Sequence, residues 1–443
     1  MSDQQSASVS QRQLDAYWMP YTSNREFKQQ PRMITAADGA YLIDDKGQKI
    51  LDGLSGLWTC GAGHNRPEIA EAVAKQLKTL DYAPAFQYGH PLAFQLAERI
   101  ADMAPGDLNH VFFVNSGSEA ADTATKIARA YWRVRGQATK TRIIGRAKGY
   151  HGASWGGISF GGIGGNRKMW GQAMESDHLS HTLLPENTFT RGLPEHGAHL
   201  ADELEEMVAL HDASNIAAVI VEPFSGSAGV VVPPKGYLQR LREICDKHNI
   251  LLIFDEVITG FGRTGAMFGA EYFGVKPDML NVAKQLTNGA IPMGAVIVSD
   301  DIYDTYMNNT AAAHGIELPH GYTYSGHPVA CAAAMAALDV LEKDNLVGRV
   351  AELSPYFEEA VHSLRGLKYI RDIRNCGFAA GFTIESAGDP TLRPYQIAMK
   401  CLEQGVYVRY GGDTIQLGVP FIIEKHEIDR LVNTLGDAIS SLD

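Results

Sequence analysis

The sequence has 443 residues, of which 45% are hydrophobic and 20% are charged. These are the proportions of a globular protein, and they exclude an intrinsically disordered chain, a collagen and a coiled coil. Lys and Arg total 39 against 51 Asp and Glu, a formal net charge of −12, which argues against a nucleic-acid-binding protein and against binding to acidic membranes.

The cysteines and the apolar runs indicate the cellular compartment in which the protein is expected. The five cysteines are scattered and form no CxxC motif, so we expect neither a zinc site nor a disulfide framework. Residues 1–15 are polar and lack the apolar core of a signal peptide. The longest apolar run, residues 329–338, is shorter than the ~18 residues that a membrane-spanning helix needs. We therefore expect a cytoplasmic protein with no metal and no membrane partner.

In chain order, the first predicted elements are short strands at residues 40–43 and 49–51, separated by turn signals. From about residue 60 onward, short apolar runs alternate with helical segments. These runs are residues 110–114, 142–145, 216–221, 250–254, 279–283 and 295–299. Continuous apolar strands separated by helices predict a mostly parallel sheet that is covered on both faces.

The length of the chain favours two domains. An Ala/Leu-rich helical run, residues 328–343, is followed by a mixed segment that reaches the end of the sequence. We predict an α/β fold with a large domain at residues 59–325 and a smaller α+β domain at 326–443, with residues 1–58 joining the smaller domain. In such sheets the chemistry lies outside the carboxyl ends of the strands.

The first candidate site feature is the turn Asn-Ser-Gly-Ser-Glu at residues 115–119, which follows a predicted strand and precedes a helical run. Ser116 and Glu119 fit a capping box. A strand, a turn and a helix N-terminus direct free N–H groups and the positive end of the helix dipole to one point, as phosphate sites do. The alternative is an ordinary helix cap. The motif GxxxxGK[ST] is absent from the chain, so this turn is not a nucleotide-binding P-loop.

The second feature is Tyr150-His151-Gly152, which follows the predicted strand 142–145. An aromatic ring on a loop at this edge of the sheet could stack on a planar cofactor. The alternative is a loop whose aromatic residue only packs against its neighbours.

The third feature is an acidic pair, Asp255-Glu256, at the end of the apolar strand 250–254 and before a Gly-rich loop. Asp255 is expected to be partly buried at the strand end, and a buried carboxylate needs a partner. The alternative is an acid that only caps the following loop.

The fourth feature is Lys284, which follows the predicted strand 279–283 in an apolar and Gly-rich context. Desolvation lowers the pKa of a lysine and makes its amine nucleophilic, so Lys284 is a candidate to form a Schiff base. The alternative is a solvated surface lysine, since lysine is rarely buried.

These four features fall at strand ends of one predicted sheet. Pyridoxal phosphate requires a lysine for its imine, an acid that keeps the pyridine nitrogen protonated and donors for its phosphate. The combination therefore predicts a site for pyridoxal phosphate.

Residues 254–265, with Lys284 at its spacing, resemble the class III (fold type I) aminotransferases, which depend on pyridoxal phosphate. The resemblance covers nearly the whole chain and is strongest to the ω-amino acid:pyruvate (β-alanine:pyruvate) branch of the family. The segments that carry it are residues 57–64, 86–91, 161–168, 320–325 and 408–414.

The resemblance implies a role for each cofactor-binding residue. Lys284 attaches the cofactor and later moves a proton, Asp255 pairs with the pyridine nitrogen, and Glu222 lies near the phenolic oxygen. Val257 packs on one face of the ring and Tyr150 on the other. The remaining implied cofactor-binding residues are Ser116, Gly117, Ser118, His151 and Thr323, the last supplied by the neighbouring subunit.

The resemblance also implies a substrate pocket. Its apolar side consists of Tyr21, Trp58, Ile258 and, from the neighbouring subunit, Phe86. Arg409 is the implied mobile arginine, which pairs with an acceptor carboxylate in a bidentate fork and swings out when an apolar donor binds. Gln416 helps to position its loop. The alternative for Arg409 is a surface ion pair, which contributes little.

The implied reaction moves an amino group from an ω-amino acid or primary amine to pyruvate by a ping-pong cycle, giving L-alanine and an aldehyde or ketone. The implied partners are the amine, pyruvate and a second copy of the chain, in a homodimer at least, with a homotetramer also open. A diamine donor such as putrescine and 2-oxoglutarate as acceptor stay open as well. An aminomutase, racemase or decarboxylase would share Lys284 and Asp255. A Rossmann-type nucleotide enzyme and a non-catalytic protein of the same fold are the competing interpretations from different functional classes.

Overall fold

The computed structural model describes residues 9–309 and 312–442. Residues 1–8 of the predicted N-terminal segment, residues 310–311, and residue 443 of the predicted smaller domain lie outside the described residues. The strands are β1 (Ile34–Asp38), β2 (Tyr41–Asp44), β3 (Lys49–Asp52), β4 (His110–Val114), β5 (Arg142–Arg146), β6 (Ser176–Leu179), β7 (Ile216–Val221), β8 (Leu251–Asp255), β9 (Met279–Val282), β10 (Gly294–Val298), β11 (Ile370–Cys376), β12 (Ala379–Ile384), β13 (Val406–Tyr407), β14 (Arg409–Gly411) and β15 (Thr414–Leu417).

The helices alternate with these strands through the middle of the chain. They are α1 (Gln11–Ala16), α2 (Asn24–Gln29), α3 (Ser55–Trp58), α4 (Pro67–Thr79), α5 (Pro91–Met103), α6 (Gly117–Val134), α7 (Trp155–Phe160), α8 (Gly164–Trp170), α9 (Glu203–His211), α10 (Tyr237–His248), α11 (Gly269–Phe273), α12 (Asp300–Met307), α13 (Pro328–Lys343), α14 (Leu346–His362), α15 (Leu392–Glu403) and α16 (Lys425–Ser440). Short 3₁₀ helices lie at Pro185–Asn187, Ala198–Asp202, Ala213–Asn215 and Lys284–Thr287.

The central sheet has seven strands in the order β4-β10-β9-β8-β7-β5-β6. The pairs from β9 through β8, β7 and β5 to β6 are parallel, whereas β10 is antiparallel to both β4 and β9. The predicted mostly parallel sheet of an α/β fold is therefore confirmed. Each predicted apolar run forms a strand, but the edge strand β6 was missed because its sequence, Ser-Asp-His-Leu, is largely polar.

Helices cover both faces of this sheet. All residues of β7 and β8 are buried, and side chains alternate between the two faces of a strand. Ala218 and Ile253 pack in the apolar cluster that contains the buried face of α6, whereas Val219 and Leu252 pack in the cluster that contains α10. Burial on both faces explains why these strands are continuously apolar in sequence up to Asp255, which ends β8.

Two smaller sheets complete the fold. One has the order β1-β2-β3-β13 and the other β11-β12-β15-β14. In the first, β13 pairs in parallel with β3, with Val406 opposite Leu51, so the N-terminal strands share a sheet with the C-terminal part of the chain. The domain boundaries after residues 58 and 325 stay predictions. Within the described ranges, no helix is both long and apolar enough to cross a membrane.

Candidate active site

The carboxyl ends of five strands of the central sheet surround one cavity of about 150 Å³. Gly117 follows β4, Tyr150 follows β5, Glu222 follows β7, Asp255 ends β8, and Lys284 follows β9. The complete lining consists of Gly117, Ser118, Tyr150, His151, Gly152, Glu222, Asp255, Val257, Ile258 and Lys284. All of these except Gly152 are residues that the sequence analysis assigned to the site.

Asp255 is buried and fixed by two partners. Its Oδ2 lies 2.8 Å from Nδ1 of His151, and its Oδ1 accepts the N–H of Val257 at 3.2 Å. The side chain of His151 is fully buried, and its Nε2 has no hydrogen-bond partner among the described residues. Capping of the following loop accounts for the bond with Val257 but not for the pairing with His151. The carboxylate is therefore held in a fixed orientation at the cavity wall.

Lys284 is the first residue of the 3₁₀ helix after β9 and has a left-handed backbone, with φ of +48°. Its side chain lines the cavity, and the described residues give its amine no hydrogen bond or ion pair. Loss of water around the amine lowers its pKa to about 8, although the charges of Asp255 and Glu222 oppose the shift. The nearby cations Arg409 and Arg263 add to the lowering. This position does not fit the alternative of a solvated surface lysine.

Glu222 connects β7 to the loop that carries the aromatic residue. Its Oε1 accepts the N–H of Tyr150 at 2.9 Å, and its Oε2 accepts the N–H of Gly226 at 3.1 Å. Burial raises the pKa of Glu222 to about 7, while the charge of His151 opposes the rise and that of Asp255 adds to it. Glu222 thus ties the backbone of Tyr150 to the end of β7.

The N-terminus of α6 presents free donors to the cavity. Ser116 caps the helix, since its Oγ accepts the N–H of Glu119 at 3.1 Å, and it does not line the cavity. The N–H groups of Gly117 and Ser118 have no acceptor among the described residues. Ser118 Oγ accepts the N–H of Ala153 at 3.1 Å, which joins this helix to the loop after β5. The turn is both a helix cap and a pair of free donors at the positive end of the helix.

Gly152 is the lining residue that the sequence analysis did not assign. Its φ is +93°, and a Cβ on it would lie 2.6 Å from the Cα of Ser118. Only glycine adopts this conformation freely at such a close approach. The available signal was a glycine directly after Tyr150 and His151 in a loop between a strand and a helix.

Two side chains could enclose a flat group in the cavity. The ring of Tyr150 and the side chain of Val257 both line it. Burial raises the pKa of Tyr150 to about 12, and the neighbouring phenol of Tyr21 adds to the rise. Tyr21 is exposed and its hydroxyl lies 3.4 Å from Oδ1 of Asn166. Tyr21 is thus near Tyr150 without lining the cavity itself.

Arg409 and Gln416 lie opposite each other on β14 and β15. Arg409 is half-buried, its Nε has no hydrogen-bond partner, and no carboxylate of the described residues forms an ion pair with it. The described residues therefore do not show the surface ion pair that was the alternative interpretation of Arg409. Gln416 is fully buried, and its Nε2 donates to the carbonyl of Ser227 at 3.0 Å. The guanidinium is close enough to lower the pKa values of both Tyr150 and Lys284.

Of the predicted apolar substrate contacts, the structure brings Ile258 into the cavity but not Trp58. Trp58 is buried with a φ of +66°. Its ring packs so closely on Gly418 that a side chain there would overlap it, and it lies 5.6 Å from the guanidinium of Arg263. A direct role of Trp58 in substrate binding stays a prediction.

Phe86 and Thr323, both assigned to the neighbouring subunit, do not line the cavity of their own chain. They lie together on another part of the surface, where Phe86 packs against Gly321 and the carbonyl of Thr323 accepts the hydroxyl of Tyr82 at 3.0 Å. Phe86 is 57% exposed, and Thr323 is also exposed.

The cavity therefore combines an unpaired amine, a fixed carboxylate, two free N–H groups at a helix N-terminus, and an aromatic and an aliphatic side chain. These groups fit a flat, anionic ligand with a carbonyl carbon and a basic ring nitrogen, and pyridoxal phosphate has all of these features.

Comparisons with known proteins agree with this chemistry. The family described as aminotransferase class-III matches residues 22–439. The chain is 63% identical over 431 residues to a beta-alanine–pyruvate aminotransferase of Pseudomonas aeruginosa, covering 97% of this chain and 96% of the relative. It is 61% identical over 437 residues to an omega-amino acid–pyruvate aminotransferase of Pseudomonas putida, covering 98% and 97%.

The solved structures show the same relationship. The structure of an amine transaminase from an uncultivated Pseudomonas species, in its form with bound pyridoxal phosphate, superposes with a TM-score of 0.89 at 38% identity and covers 96% of this chain and 98% of that one. This protein is a member of the class III aminotransferases, which depend on pyridoxal phosphate.

Proposed function

We propose that this aminotransferase moves an amino group from an ω-amino acid or a primary amine to pyruvate, giving L-alanine and an aldehyde or ketone. The single observation that carries the proposal is the meeting of Lys284, Asp255 and the N-terminus of α6 in one cavity. The choice of pyruvate rests on the relatives whose names state a beta-alanine– or omega-amino acid–pyruvate reaction.

The residues of the cavity fit pyridoxal phosphate. The N–H groups of Gly117 and Ser118 would hold its phosphate, and Asp255 would pair with its pyridine nitrogen. Val257 and Tyr150 would lie on the two faces of its ring. When bound, the cofactor supplies an electron sink for the negative charge that develops at the carbon bearing the amino group.

Asp255 keeps that electron sink effective. A carboxylate beside a ring nitrogen favours the protonated nitrogen. The bond from His151 to Oδ2 and the bond from Val257 to Oδ1 fix its orientation, so no side-chain entropy is lost when the ring binds.

Lys284 attaches the cofactor and moves the proton. With a pKa near 8, its amine is partly unprotonated at neutral pH, whereas an ordinary lysine with a pKa of about 10.4 is almost fully charged. Once the donor amine has displaced it, the unprotonated Nζ would take the proton from the substrate carbon that bears the amino group and pass it to the cofactor. In the second half of the cycle it would carry out the same transfer in reverse.

Arg409 binds the carboxylate of the acceptor. Its guanidinium has no carboxylate partner of its own among the described residues, and it presents two N–H groups in the geometry that a carboxylate accepts. Gln416, opposite it in the β14–β15 pair, would hold the strand from which it extends. An amine donor without a carboxylate requires that the arginine leave the pocket.

A homodimer supplies the remaining residues. Phe86 and Thr323 lie together on an exposed surface away from the cavity, which suits a role in the active site of a second copy. Measurement of molar mass by light scattering tests this assembly. A monomer that is fully active would contradict it, and a mass of four chains would indicate the tetramer.

The visible absorption spectrum of the purified protein tests the proposed reaction. We expect a yellow band of bound pyridoxal phosphate that bleaches when β-alanine or 1-phenylethylamine is added and returns when pyruvate is added, with alanine as the product. Return of the band with 2-oxoglutarate but not with pyruvate would replace the acceptor. A band that persists with every amine tested would contradict the transfer.

A further inference from the structure

The turn that carries Lys284 has an unfavourable backbone. Lys284 has a φ of +48°, a region that side chains other than glycine and asparagine rarely occupy, and Asn288, which tolerates this region, has a φ of +51°. Both residues belong to one short segment, the 3₁₀ helix Lys284–Thr287 and its C-cap. Such a conformation persists only where surrounding contacts impose it, so contacts from outside the turn must hold it in place.

Two buried amide side chains hold it, and we call Gln285 and Asn288 the amide clamp. Gln285 Oε1 accepts the N–H of Gly61 at 2.7 Å. Asn288 Oδ1 accepts the N–H of Ala62 at 2.9 Å, and its Nδ2 donates to the carbonyl of Gly63 at 2.8 Å. Three consecutive residues of the segment after α3 are thus bound by the turn that carries Lys284.

The segment that the clamp binds is shaped to receive it. A Cβ on Gly61 would overlap Gln285 Oε1 and would lie 2.6 Å from the ring of Phe421. The carbonyl of Gly61 accepts the N–H of Phe421 at 2.7 Å, which anchors the segment to the C-terminal part of the chain. Both clamp side chains are more than nine-tenths buried, so water does not compete for their hydrogen bonds.

We propose that Gln285 and Asn288 are positioning residues that impose the left-handed turn and thereby keep the Lys284 amine inside the cavity. The inference rests on the proposed role of Lys284. Neither clamp residue lines the cavity, so neither contacts the cofactor or the substrate. If the clamp is released, the turn relaxes toward an ordinary backbone and the amine moves toward water. A displacement of about 1 Å at a reacting group is enough to lower a rate by up to about 100-fold.

The test uses two clamp variants and a matched control. Gln285→Met keeps the length of the side chain but removes its acceptor, and Asn288→Gly removes the amide while tolerating the positive φ. The control is Asn187→Leu. Asn187 ends the 3₁₀ helix Pro185–Asn187 outside the cavity, and its buried amide also binds a backbone in two places, at the N–H and the carbonyl of His196. Asn187→Leu shows how much thermal stability is lost with such an amide when Lys284 is not affected.

Two measurements separate positioning from stability. The first is the pH dependence of acetylation of Lys284 by acetic anhydride in the full-length chain after removal of the cofactor, read by mass spectrometry. The second is kcat and KM of the holoenzyme. In the clamp variants we expect the acetylation midpoint to rise from about 8 toward the ordinary value for lysine, and kcat to fall by about tenfold or more with little change in KM. Asn187→Leu should lower thermal stability alone.

The proposal is overturned if Gln285→Met and Asn288→Gly lose stability as the control does but keep the wild-type midpoint and kcat. If one clamp variant fails to fold, the other carries the same comparison. Undiminished turnover by Lys284→Ala would contradict the proposed function. That result is separate from the test of the clamp, because the acetylation midpoint would still show whether the clamp sets the position of the amine.

Discussion

Gly152→Ala is the substitution for which the structure gives the most definite expectation. The added Cβ would lie 2.6 Å from the Cα of Ser118, and the backbone at residue 152 has a φ of +93°. The Ser118 hydroxyl, which lies still nearer, can rotate away, but the Cα is main chain, so the loop or the helix must move. Overpacking of this kind costs about 1–3 kcal/mol, and the loss of glycine at this φ adds roughly 1 kcal/mol.

This strain falls between the two parts of the cavity that bind the cofactor. The loop carries Tyr150, and Ser118 lies at the proposed phosphate site. Movement of the loop away from Ser118 relieves this strain, but binding of the cofactor requires the two parts to come together again. If about 1.4 kcal/mol of strain returns on binding, the affinity for pyridoxal phosphate falls about tenfold. The dissociation constant of the cofactor, measured by titration into the cofactor-free protein, gives the answer directly.

A matched control is available in the same stretch of chain. Gly164 has no atom within 4 Å of the position of an added Cβ, so Gly164→Ala should bind the cofactor as the wild type does. The reasoning is refuted if Gly152→Ala has the same dissociation constant and the same unfolding temperature as Gly164→Ala.

Three further predictions follow from the same cavity. Asp255→Asn should lower kcat at least about 100-fold, because the amide no longer favours a protonated ring nitrogen; steady-state kinetics with near-normal kcat would remove Asp255 from the mechanism. Arg409→Ala should slow the half-reaction with pyruvate by about 10–100-fold, because it removes a hydrogen-bonded pair of charged groups. The half-reaction with 1-phenylethylamine should stay within about twofold of the wild type. Stopped-flow absorbance measures both rates, and equal effects on the two would contradict the role of Arg409. The rate at which pyridoxal phosphate attaches to the cofactor-free protein should rise with pH through about 8, because the reactive form of Lys284 is the free amine and its pKa is lowered; a rise centred near the ordinary lysine value would contradict the desolvated position.

The sequence predicted the central sheet well because burial on both faces leaves a plain signal. Strand β7 and strand β8 up to Phe254 are continuously apolar, and helix α10 between them has a clear period. The edge strand β6 has no such signal, because only Leu179 of its four residues is apolar. The parallel pairing of β13 with β3 joins residues about 355 positions apart and leaves no local trace in the sequence.

The candidate site was predictable to the extent that it follows the strand-end rule. Residues at or just past the ends of strands, such as Asp255 and Lys284, were found from the order of the apolar runs and the residues beside them. The pairing of Asp255 with His151 and the clamp that Gln285 forms with Gly61 depend on contacts across 104 and 224 residues. Such contacts form only when the whole sheet and the C-terminal part of the chain are in place, so no local pattern announces them.

The central claim is that Lys284 holds pyridoxal phosphate in the cavity at the carboxyl ends of the sheet. The most direct measurement is reduction of the purified holoprotein with borohydride, which fixes the cofactor to the amine that holds it, followed by digestion and mass spectrometry of the peptides. We expect one added phosphopyridoxyl group, located on Lys284. A label on a different lysine, or no label on a protein saturated with the cofactor, would contradict the account.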